Sequence, residues 1–134
     1  MKKNIALLCL FICGLSFGQK QKIVKPPVFP ECENYIGEPE SCFEKEFKLH
    51  LNKNFNYPKV AIDSMYEGRV VVNFVINKQG IADSISAKGA YSSLENAAIT
   101  IIEKLPRMNP ALNEHDMPVS VHFSIPIVYS LKKP

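Results

Sequence analysis

The chain's cleanest alternation of apolar and polar positions lies in GRVVVNFVINKQG, residues 68–80. Val70, Val72, Phe74 and Ile76 fall on one face of an extended chain, and Arg69, Val71, Asn73, Val75 and Asn77 on the other. The pattern predicts a strand over residues 69–77. Valines on both faces mark it as a strand with neighbours on both edges. Gly80, closing the NKQG turn, suits a hairpin loop, so residues 81–87 form the return strand. A third run alternates in the same way: Val119, Val121, Phe123, Ile125, Ile127 and Tyr129 on one side, Ser120, His122, Ser124, Pro126 and Val128 on the other.

Two longer segments carry helical spacing instead. Phe43, Phe47, Leu51 and Phe55 recur every fourth residue, which predicts a core-facing stripe. Ser41 and Glu44 read as a capping box that starts this helix, and the NFNYP stretch ends it before Pro58. Pro58 then opens a short helix over residues 59–65 as its first residue, with Gly68 beyond its end. Leu94, Ala97, Ala98, Ile101, Ile102 and Leu105 fit one helical face, with a second capping box at Ser92 and Glu95 and a stop at Pro106.

This last helix joins the second strand to the third. A right-handed crossover that skips one strand puts the third beside the first. The predicted fold is α+β: a three-stranded antiparallel sheet, order 2-1-3 along the chain, with helices packed on one face. Pro118 and Pro126 agree with an edge position for the last strand.

The ends change the picture of where the protein works. Lys2 and Lys3, an apolar run from Ile5 to Cys13, and small residues Ser16 and Gly18 read as a secretory signal peptide over residues 1–18. A retained inner-membrane anchor is the alternative, but needs about 20 apolar residues, more than this run provides. A lipoprotein cut before Cys13 is disfavoured by Ile12 in front of it. Residues 19–31, rich in Pro and Lys, read as an extended N-terminal arm, and residues 32–131 as the folded domain.

The formal net charge of +3 includes the two leader lysines. The remainder is nearly neutral, which leaves no case for nucleic acid. Of the four cysteines, Cys32 and Cys42 lie outside the leader. In an exported protein, an even number at short spacing favours a disulfide. The rival, a metal or redox pair, has no C-x-x-C and only His50 nearby.

Catalytic chemistry finds no constellation. His50, His115 and His122 have no ligand-like spacing, and His122 fits a solvent-facing position on an edge strand. Asp63, Asp83, Glu95 and Glu103 fall on different elements, and no glycine-rich phosphate loop is present. The expectation is no enzyme, no cofactor, no metal and no small-molecule substrate.

The segments VFPEC, KNFNYPKVA, GRVVVNFVINKQGI, LENAAITIIEKLPRMNPA and PVSVHFSIPIVYSL together resemble the C-terminal domain of the TonB family of bacterial energy transducers, in its small exported, cysteine-paired form. The resemblance spans residues 28–131. It departs at Ala111, where the family usually has Gly. A cleaved leader and a short arm are expected here in place of the family's uncleaved membrane helix and long Pro-rich arm, which would reach a motor. The resemblance implies a periplasmic protein-binding module. Its partner would be the TonB box of an outer-membrane TonB-dependent receptor, taken up by strand addition in nutrient or siderophore transport.

Pro126 has no N–H, so its nitrogen is expected on the outer edge of the last strand, together with the N–H groups of Ser120, His122 and Ser124. The expected footprint is Ser120, Val121, His122, Phe123 and Ser124, and the resemblance adds Tyr57 and Pro58 as flanks. The alternatives are an envelope adaptor or a homodimer built on the same edge, or an edge that is merely guarded by Pro126.

Overall fold

The computed structural model describes residues 23–131. The expected leader and the first residues of the arm lie outside the described residues.

Strand β2, Gly68–Ile76, is the centre of the main sheet. Val70, Val72, Phe74 and Ile76 are each 1% exposed or less, as the alternation predicts. Burying each such side chain stabilises the fold by about 1.5–3 kcal/mol. Strand β3, Ala82–Lys88, pairs with one edge of β2, and the last long strand pairs with the other, both antiparallel. The order is therefore the expected 2-1-3.

Helix α3, Ser92–Glu103, buries Leu94, Ala97, Ala98, Ile101 and Ile102 against β2 and β3. Helix α1, Pro39–Asn54, buries Phe47 in the same core, with Phe43 and Leu51 partly covered. The two helices are tied by His50, whose Nε2–H donates to the Ile101 carbonyl at 2.8 Å.

The helix starts differ from the capping boxes read in the sequence. Helix α1 begins two residues earlier, at Pro39 after Glu38, and neither Ser41 nor any other side chain caps it. Proline already has the helical φ and no N–H to satisfy, so it can open the helix unaided. At α3 the N-cap is Tyr91, and Ser92 is already helical. Glu95 accepts a bond from the Gly89 N–H at 2.8 Å, further back along the chain than a box would place it. Pro58 is the extended N-cap of helix α2, Lys59–Asp63, and not its first residue. That helix stops short of the expected Met65, which takes a left-handed φ of 57°. Phe55 lies past the end of α1 and leaves its stripe to pack on Tyr57 and Tyr129.

A second sheet has no counterpart in the sequence pattern. It joins β1, Ile23–Lys25, to β4, Ala111–Asn113, and β4 to β5, Pro118–Val119. Part of the expected arm is thus a strand, and Val28 continues the contact by exchanging backbone bonds with Asn109 at 2.9 and 3.0 Å. The last strand of the sequence reading, residues 119–129, is divided at Ser120. Its first residues pair with β4, and the rest forms β6, Val121–Tyr129, on β2. Alternation continues through the break, so apolar spacing alone gave no sign of it.

Next to β1, a 3-10 turn at Pro30–Cys32 carries the Cys32–Cys42 disulfide into α1, with Cα atoms 6.0 Å apart. Phe29 beside it is 2% exposed. The hairpin loop is held from below: Met108 N–H donates to the Gly80 carbonyl at 2.9 Å, and Arg107 Nε–H to the Gln79 carbonyl at 3.0 Å.

Candidate functional site

The main sheet has two terminal strands, β3 and β6. They are not equivalent as pairing surfaces. The β2–β3 register shifts between Asn73 and Val75, and Ser84 takes a left-handed φ of 52°. Such an irregularity bends an edge away from further pairing. The β2–β6 register runs without a shift from Gly68↔Tyr129 to Ile76↔Val121. Among the described residues, no strand lies on the other side of β6.

The expected footprint falls at the N-terminal half of this edge. Val121, His122, Phe123 and Ser124 are in β6, opposite Ile76, Val75, Phe74 and Asn73. Ser120 is the break residue between β5 and β6. Ser120, His122 and Ser124 are exposed, while Val121 and Phe123 are half-buried on the helical side. The Phe123 ring stacks between Phe74, at 5.4 Å, and Phe43 of α1, at 5.3 Å. In the sequence, Phe43 belongs to a core-facing helical stripe, and nothing there marks it as a neighbour of the edge. Its position beside the edge depends on how α1 crosses the sheet.

Tyr57 and Pro58 are not brought beside this footprint. The Tyr57 ring meets Tyr129 edge-on at 5.3 Å, at the far end of β6. At about 3.4 Å per strand residue, that is roughly 17 Å beyond Ser124. Here Phe55, Tyr57 and Tyr129 form an aromatic group, and the Tyr57 hydroxyl donates to the Tyr66 carbonyl. Tyr129 is 1% exposed and its hydroxyl has no hydrogen-bond partner among the described residues. Burial, and after it the nearby Tyr57, pushes its pKa up to about 12. Partial desolvation and then the Glu67 carboxylate raise that of Tyr57 as well.

The expected Cys32–Cys42 pair is bonded. Its Cys42 immediately precedes Phe43, so the bridge anchors the helix turn that stands next to the edge. No group of three or more His, Cys, Asp or Glu among the described residues could hold a metal ion. No helix among them is long and apolar enough to cross a membrane.

Together these features define a small α+β domain with one regular, open strand edge. The chain belongs to the TonB C-terminal family: the pattern of the Gram-negative bacterial TonB protein C-terminal domain matches residues 53–131. It is 31% identical over 93 residues to protein TonB of Helicobacter pylori strain J99, and equally so to that of strain 26695. Those matches cover 68% of this chain and 31% of the relative, so the chain spans about a third of the length of the curated relatives it matches. The fold is similar to the NMR solution structure of the Helicobacter pylori TonB C-terminal domain. The TM-score is 0.55 at 27% identity, over 78% of this chain and 92% of that one.

Proposed function

We propose that this protein is an exported, periplasmic binding module that takes an extended segment of an outer-membrane receptor onto the free edge of β6. Residues 1–18 act as its cleaved leader, and residues 32–131 as the binding domain. The segment would be the receptor's TonB box, and the process served is receptor-linked transport. The observation that carries this reading is the regular, nine-pair register of β6 with β2 combined with the absence, among the described residues, of a strand on its other side. Main-chain hydrogen bonds supply affinity in such strand addition, and alternate side chains supply specificity. Family membership supports the receptor as partner.

The footprint proposed is Ser120 to Ser124, ending where Pro126 offers no N–H. Tyr57 and Pro58 come into reach only for a segment that continues past Pro126 toward Tyr129. The test is an amide-shift titration with a receptor TonB-box peptide. The largest shifts are expected at Ser120 to Ser124. Shifts confined to residues 81–87 would assign binding to the hairpin edge instead. Concentration-dependent shifts at Ser120 to Ser124 without any peptide would favour a homodimer through the same edge.

A further inference from the structure

The apolar side chains that β6 turns toward the helices are unevenly covered. At its C-terminal end, Ile127 and Tyr129 are 6% and 1% exposed. Toward its N-terminal end, Val121, Phe123 and Ile125 are only half-buried. One strand further in, their partners Ile76, Phe74 and Val72 are sealed. Within β6 the shortfall is therefore confined to the N-terminal part, the stretch proposed to take the added strand.

A second observation points to what would cover it. Phe43, Phe47, Phe74 and Phe123 form a closed ring of neighbours, with centroid separations of 5.9, 6.2, 5.4 and 5.3 Å around it. Phe47 and Phe74 are buried, whereas Phe43 and Phe123 are half-buried and form the outer rim. Phe43 is fixed from behind by the buried Phe29, at 5.3 Å, and by the adjoining Cys32–Cys42 bridge. The other side of the strand presents the exposed His122 and Ser124.

Resting on the strand-addition reading, we infer that the Phe43–Phe123 rim is a specificity-determining wall that selects an incoming segment with apolar residues at alternate positions. A residue directly opposite Phe123 in an added strand has its Cβ about 4.5–5.5 Å away on the same face, within contact of both rings. An apolar side chain there completes the cover over Val121, Phe123 and Ile125. A polar one is desolvated against two rings with nothing to bond. On the opposite face, His122 and Ser124 accept polar or small residues. The occupant is thus an extended peptide alternating apolar with polar residues. Phe43 contributes to its selection although it belongs to a helix and not to the paired strand.

The test uses two synthetic heptapeptides with lysine caps, one alternating Val with Ser and one alternating Thr with Ser. Val and Thr share shape and strand preference, so the pair isolates the buried methyl against a hydroxyl. Affinity is read from the amide shifts of Ser120 to Ser124. The Val peptide is expected to bind about tenfold more tightly, the scale of a single apolar anchor. The preference is expected to collapse in Phe43→Ala and to weaken in Phe43→Leu, which keeps an apolar side chain on the core. Equal affinity for the two peptides, with the same amides shifting, overturns the wall and leaves strand addition intact. A preference unchanged in both Phe43 variants likewise overturns the role of Phe43. Failure of both peptides to shift these amides while the receptor TonB-box peptide does shift them overturns the wall alone, and failure of all three overturns strand addition as well.

Discussion

Val71 of β2 stands directly opposite Pro126 of β6. A central strand bonds to its neighbour through alternate residues, and Pro126 can donate nothing. The pairing loses least if the proline nitrogen faces away from β2. By alternation, the N–H of His122 then faces outward too. His122→Pro is therefore expected to change stability little, while abolishing binding of an added strand at Ser120 to Ser124. Denaturant unfolding and peptide titration of the same variant separate the two effects. A large loss of stability would mean that the His122 N–H bonds to β2 and that the outward set is the other one.

Phe74 lies at the centre of the ring cluster, 1% exposed, with Phe47 and Phe123 stacked on it. Phe74→Ala is expected to cost about 3–5 kcal/mol, the range for a buried aromatic ring. Chemical denaturation with unchanged slope is the measurement. A midpoint equal to that of the parent would contradict the packing of α1 on the sheet.

Gly80 combines a left-handed φ of 82° with a closed space: a Cβ would lie 1.7 Å from the Met108 carbonyl oxygen. That oxygen is backbone, held next to the hairpin by the Met108 N–H bond to the Gly80 carbonyl. Gly80→Ala is expected to destabilise by more than about 2 kcal/mol, above the usual left-handed penalty alone. Urea unfolding of the variant measures it.

The Cys32–Cys42 bridge closes a loop with a sequence separation of 10. Cys32→Ser is expected to lower stability by about 2–3 kcal/mol without abolishing peptide binding, because the bonding groups of β6 are retained. Titration of the oxidised protein with a thiol reagent is expected to find neither cysteine reactive. Two reactive thiols in the exported protein would contradict the bridge.

Tyr129 has a folded-state pKa raised from 10.0 to about 12, first by burial and then by Tyr57. The unfolded chain loses this proton at lower pH than the folded one. Its contribution is fully present below about pH 10 and is lost as pH rises through about 12. Tyr129→Phe is expected to remove that part of the alkaline loss. At neutral pH it should be neutral or slightly stabilising, since the hydroxyl it deletes has no bonding partner among the described residues. Unfolding curves of both proteins across the alkaline range test the sign.

Period-two alternation in residues 69–77 and 119–129, the NKQG turn between the first strand and its return, and helical spacing in residues 94–105 were enough to place the three main strands, the crossover helix and the sheet order. These patterns record which face of a local element is buried, and burial is the largest favourable contribution to folding. The open edge was legible for a different reason, through Pro126, whose missing N–H would cost a central strand a bond. Helix starts were less legible. Ser41 and Ser92 have capping chemistry, but the N-caps are Glu38 and Tyr91, because a cap residue acts only where the chain's path places it. The second sheet was invisible. The three residues of β1 carry too short a pattern, and their pairing with β4 joins segments far apart in sequence. Tertiary structure alone set Tyr57 at the Tyr129 end of β6 and Phe43 beside Phe123. Those positions follow from the angle and height at which α1 and the loop after it cross the sheet, and no periodicity within a single element encodes them.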